Sequence, residues 1–157
     1  MKIVIWCGLI IIGGVLVLIS LLNPALIAEN KFLHDFINHE ILNVQSVVVT
    51  VTLVSITHTH LEFSKLEKVH QLKVFGSARR EINGTAVYLI LSFLIMLFLL
   101  MFVGGTEPKE QPITNSLLKS SNILLLVASI AAMADVLKIS YELSNDPSIE
   151  EDESEES

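Results

Sequence analysis

Four stretches of this chain are each about as long as a helix that crosses a bilayer: Ile3 to Leu22, Ile41 to Leu61, Thr85 to Val103 and Leu117 to Val136. Crossing about 30 Å of hydrocarbon takes roughly 20 helical residues, and irregular chain cannot cross because its amides would lack partners. The pattern therefore predicts an all-α polytopic membrane protein with four transmembrane helices. Chain breakers fall where such helices should end. Asn23-Pro24 closes the first and Gly104-Gly105 the third, while the fourth follows Pro112, has Asn115 or Ser116 as its expected cap, and stops before Asp146-Pro147. With 52% of its 157 residues hydrophobic, the chain carries more apolar surface than a soluble domain of that size buries.

Lys2 ahead of the first stretch and Ala28 behind it are ingredients of a cleaved signal peptide. The apolar run is about twice the usual length for one, so an uncleaved helix is expected. Cys7 is the single cysteine and cannot form an internal disulfide, so it reads as a small packing residue.

Orientation follows from the basic residues, which concentrate in cytoplasmic loops. The segment between spans two and three holds Lys65, Lys68, Lys73, Arg79 and Arg80, whereas the other two loops hold Lys31 and Lys109. That segment and both termini are accordingly expected in the cytoplasm, in the inner membrane if the source is bacterial. The glycosylation sequon Asn83-Gly84-Thr85 points the other way only if this loop lies outside, and the basic residues outweigh it.

Three regions lie outside the spans. Residues 25 to 40 place Phe32, Leu33, Phe36 and Ile37 at helical spacing opposite His34, Asp35, Asn38 and His39, which predicts a short amphipathic helix at the outer surface. Residues 62 to 84 read as a cytoplasmic helical hairpin. Leu66, Val69 and Leu72 continue span two for three or four turns, Gly76 is the expected stop, and a returning helix begins near Ala78. Its basic residues are candidates for docking anionic lipid or a cytoplasmic protein partner. Residues 145 to 157 form an acidic tail too poor in apolar side chains to fold alone, and it accounts for much of the net charge of −7.

Span two is unusually polar. At about 100° per residue, Asn43, Ser46, Thr50 and Thr57 share one strip, and Gln45, Thr52, Ser55 and Thr59 form a second roughly opposite. Two strips argue for contacts on two sides: helix packing through hydroxyl and amide hydrogen bonds, or packing on one side and a pore lining on the other. Span four supplies small residues for close approach, with Ala128 and Ala132 the candidate interface positions alongside Ala131, Ala134, Ser120, Ser121 and Ser129. Spans one and three are then expected to face lipid.

Among ionisable groups, His58 with Glu62 and Asp35 with His39 each share a helix face, but neither pair completes a metal ligand set, so no metal or cofactor is expected. Asp135 is the carboxylate closest to a span interior, with Lys138 three residues on as a partner, and Lys119 is placed to snorkel to the surface. Nucleophilic sets, phosphate-cradling loops and nucleic-acid motifs do not appear in the sequence. The leading expectation is a non-enzymatic, homo-oligomeric membrane subunit acting as sensor or scaffold for a cytoplasmic partner. The alternatives are a homo-oligomeric channel or membrane-disrupting effector, as in a bacterial stress or phage-defence system, and a small membrane-embedded metal-dependent enzyme using His58, Glu62 or Asp135.

Overall fold

The computed structural model describes the backbone over residues 2–70, 76–105 and 110–144, with side chains over 7–68, 76–104 and 110–143. Among these residues all the regular structure is helical, with short turns between helices and no strand. The helices are α1 (Lys2–Leu22), α2 (Ala25–Ala28), α3 (Lys31–Asp35), a π-helical turn (Phe36–Glu40), α4 (Ile41–His70), α5 (Gly76–Gly105) and α6 (Pro112–Ser144). Three helices are long and apolar enough to cross a membrane: Lys31–Lys68, Gly76–Gly104 and Pro112–Leu143. In α1 the apolar stretch with described side chains is shorter, Cys7–Leu22.

The breaks between helices follow local chemistry. Pro24 lacks an amide hydrogen, so α1 stops at Leu22, and the chain turns through Leu26 N–H to Asn23 C=O (3.2 Å) and Ala28 N–H to Pro24 C=O (2.8 Å). Asn30 restarts the helix: its side-chain oxygen accepts from Leu33 N–H at 3.0 Å. The expected single amphipathic helix over residues 25–40 is thus three pieces. Ile37, inside the π turn, is fully buried, whereas Phe32 of α3 stays 74% exposed. Pro112 opens α6, where its missing amide hydrogen costs nothing. Asn115 and Ser116 are therefore buried inside the first turns and do not cap the helix.

Packing is centred on α6, which touches α1, α2, α4 and α5. The buried positions explain why. On α6, Asn115, Asn122, Ser129 and Val136 recur every seven residues, and on α5 so do Ile82, Leu89, Met96 and Val103. A seven-residue repeat keeps one stripe of a slightly tilted helix against its neighbour over many turns. Ile37 and Ile41 pack with Met96 and Leu126 near one end of the bundle. Ile56, Phe63, Ile82 and Val136 pack near the other. Close contacts in these clusters gain by dispersion, about 0.1–0.2 kcal/mol for each pair of heavy atoms, summed over many pairs.

Candidate functional site

Polar side chains gather at three levels along the bundle. The middle level joins three helices. Gln45 Nε2 donates to Ser129 Oγ at 2.9 Å and to Ser92 Oγ at 3.2 Å, and the two serine oxygens are 3.1 Å apart. Both hydroxyls also bond a carbonyl of their own helix, Leu89 and Leu125 respectively, each at 2.9 Å. They are thereby oriented to accept from Gln45. Its Oε1 is buried without a partner. Interhelical bonds of this kind contribute on the order of ~0.6 kcal/mol each, and they fix the register of α4, α5 and α6.

The second level lies where α1 ends. Ser20 Oγ contacts Ser120 Oγ and Ser116 Oγ, both at 2.9 Å, tying α1 to α6. Beside them Lys119, expected to snorkel, is fully buried, and its ammonium donates to the Ala28 carbonyl at 2.8 Å. Ala28 ends α2, so this carbonyl has no acceptor role inside its own helix and a cation there is favourable. The side chain turns inward because α2 folds over the start of α6 and covers it.

The third level lies where α4 and α5 meet. Glu62 is buried, with Lys65 Nζ at 3.1 Å and His58 Nε2 at 3.8 Å from the same carboxylate oxygen. Arg79 reaches across from α5 to Glu67 Oε2 (2.9 Å) and Ser64 Oγ (3.1 Å). His60 Nε2 meets Asn83 Oδ1 at 2.9 Å. Lys68 and Arg80 are exposed, and Lys65 is 62% exposed beyond its bond to Glu62. Lys73 lies outside the described residues, as do the rest of residues 71–75 and the acidic tail from residue 145.

The remaining candidates are scattered. Asn43, Ser46, Thr50 and Thr57 all lie on an exposed strip of α4, whereas Gln45, Thr52 and Thr59 of the opposite strip are fully buried. Thr57 bonds its own helix at Leu53 C=O (3.0 Å), as Thr52 does at Val48 C=O (2.7 Å), and Asn43 Nδ2 reaches His39 C=O at 3.4 Å. Ser46 and Thr50 make no hydrogen bond to any described residue. Ala128 and Ala132 are half-buried. Ser129 is the residue that meets α4. Ala128 instead lines an apolar groove of about 550 Å³ between α1 and α5, with Leu9, Gly13, Tyr88, Ile95 and Leu124. Asp135 is half-buried, and Lys138 reaches Glu142 at 3.5 Å, one turn beyond it. Cys7, expected as a packing residue, is exposed. Among the described residues, no three His, Cys, Asp or Glu side chains converge, so His58, Glu62 and Asp135 do not form one cluster.

Sequence reasoning missed the joining of Gln45, Ser92 and Ser129. The signal was the isolation of Ser92: a lone hydroxyl in an otherwise apolar helix marks its inward side. Comparison with protein families, curated proteins and solved structures finds no match to this chain.

Proposed function

We propose that this chain is a non-enzymatic, homo-oligomeric membrane subunit that crosses the bilayer four times and serves as sensor or scaffold for a cytoplasmic protein. In this reading α1 is the additional span, both termini lie in the cytoplasm, and the ends of α4 and α5 project there together. One observation carries it. α4 is 30 residues long, about 45 Å, and so exceeds the hydrocarbon thickness by several turns. Its surplus is cross-tied to α5 through Arg79, which meets Glu67 and Ser64, while Lys65, Lys68 and Arg80 stay available. A rigid, ion-paired extension with an exposed basic face suits recognition of an acidic protein surface, and the same charges hold it at anionic headgroups. The groove between α1 and α5 is apolar enough for lipid chains to fill.

The test uses full-length protein in its native membrane. Photocross-linkers placed at Lys68 and Arg80 are expected to trap a discrete cytoplasmic protein, and Lys68→Glu with Arg80→Glu to abolish that adduct while membrane insertion persists. A reporter fused after Ser157 that is active only on the non-cytoplasmic side overturns the topology and this reading with it.

A further inference from the structure

The outward strip of α4 contains a second periodicity beyond its polarity. Asn43, Val47, Thr50, Val54, Thr57 and Leu61 follow one another at intervals of four, three, four, three and four residues, and all six are exposed, Val47 at 62%, Val54 at 64% and Leu61 at 58%. This is a 3.5-residue repeat. Asn43, Thr50 and Thr57 occupy one heptad position, and Val47, Val54 and Leu61 the other. α4 packs on α5 and α6 through its other side, where Gln45, Thr52 and Thr59 are buried, while this strip is exposed along its length. From Asn43 to Leu61 it spans about 27 Å, close to the full hydrocarbon thickness.

We infer that this seam is a parallel α4–α4 interface between two copies of the chain, packed about a two-fold axis normal to the membrane. The inference rests on the reading of α4 as a membrane span. Three features identify the occupant as a second copy. The exposed positions Val87, Leu91, Leu94, Phe98 and Met101 of α5 keep the same 3.5-residue spacing but are apolar throughout; α4 differs in placing Asn43, Thr50 and Thr57 at every second step, polar groups that lipid chains do not satisfy and that a shallow left-handed helix crossing brings together. Two copies inserted by the same machinery share one orientation, so their α4 helices run parallel and like residues face like across the axis. Asn and Thr side chains both donate and accept, so Asn43 and Thr50 can each bond their own counterparts, while Thr57, whose hydroxyl hydrogen goes to Leu53 C=O, offers acceptor lone pairs. Ser46 and Thr50 then gain partners in a medium that offers none.

Val47, Val54 and Leu61 alternate with the polar residues and fill the space between them. The seam therefore closes on itself, and the strip is an adhesive surface and not the wall of a pore. α5 provides the contrast. Its exposed positions include Val87, Ile90, Leu91, Leu94, Phe98 and Met101, which lipid satisfies without a protein partner.

Single-cysteine variants of the full chain, in a Cys7→Ser background and in native membranes, test this. Disulfide cross-linking is expected to trap dimers at Asn43→Cys, Val47→Cys, Thr50→Cys, Val54→Cys and Thr57→Cys, several-fold more than at Val49→Cys, Ser55→Cys or Leu94→Cys of α5. The same cysteines in uncross-linked membranes are expected to resist a water-soluble maleimide that labels Lys68→Cys. Protected cysteines with no 3.5-residue pattern of cross-linking overturn the seam and leave the membrane reading standing. Cross-linking at the seam together with maleimide labelling at Thr50→Cys and Thr57→Cys means a water-filled axis and overturns the closed interface. Uniform labelling of α4, with release of the protein by alkaline carbonate, overturns the membrane reading and the seam together.

Discussion

α4 and α5 each turn a long face outward, yet the two faces are built from opposite chemistry. On α5 the outward residues are aliphatic or aromatic, with Phe98 and Phe102 in edge contact at a centroid distance of 4.9 Å, and Ser92 points inward to Gln45 and Ser129. On α4 the inward residues Gln45, Thr52 and Thr59 are matched by an outward set, Asn43, Ser46, Thr50 and Thr57. A helix that ends its contacts within one protomer needs polar groups on one side only. Polar groups on both sides indicate two packing environments, one already filled by α5 and α6 and one still to be filled. The proposed seam gives the two faces different surroundings: lipid for α5, protein for α4.

The comparison requires that inward polar groups hold the protomer together while outward ones do not. The largest effect is expected at Lys119. Lys119→Ala leaves the Ala28 carbonyl buried without its donor and should lower protomer stability by about 2–3 kcal/mol, read as unfolding in detergent micelles; a change within error removes the claim that α2 is anchored there. Gln45→Leu loses bonds to Ser92 and Ser129 but leaves both hydroxyls bonded to their own carbonyls and removes an unpartnered oxygen. A smaller loss of about 1 kcal/mol is expected in the same assay, with self-association unchanged. Thr50→Val and Thr57→Val should behave in the reverse way, leaving protomer unfolding unchanged and weakening self-association by about threefold for each hydroxyl removed. The smallest effect belongs to the ion pair outside the apolar stretches. Glu67→Gln should cost about 0.5–1 kcal/mol at low salt and less at high salt, measured by hydrogen exchange at the start of α5.

Much of the helix layout was legible because its signals are local. Asn23-Pro24 stops α1 through backbone chemistry, and the run of apolar residues in α5 has one structural meaning at any position in a chain. The two polar strips of α4 were legible for the same reason, since helical geometry alone places Gln45 and Thr52 away from Thr50 and Thr57. The choice of which strip faces inward was not legible, because it depends on Ser92 and Ser129, 47 and 84 residues away. Lys119 was misread on similar grounds. Its position near the start of α6 suggests access to water, and only the folding of α2 across that end removes it. Asn115 was taken for a cap because its residue type favours one, but Pro112 starts the helix earlier and draws Asn115 into the buried stripe. Ala128 and Ala132 have the right size for a tight α4 contact, yet Ser129 occupies that side of α6 and rotates Ala128 toward the groove.

α4's outward face is proposed as an association surface, and α5's as a face for lipid. The most direct test is energy transfer between donor- and acceptor-labelled copies in lipid vesicles, across a range of protein-to-lipid ratios. Three proteins suffice: the parent chain, an α4 variant carrying Asn43→Leu, Thr50→Val and Thr57→Val, and an α5 variant carrying Leu91→Ala, Leu94→Ala and Phe98→Ala. The account predicts transfer saturating at two copies for the parent and the α5 variant, and a shift of about tenfold or more toward monomer for the α4 variant. Equal association of all three, or loss confined to the α5 variant, contradicts it.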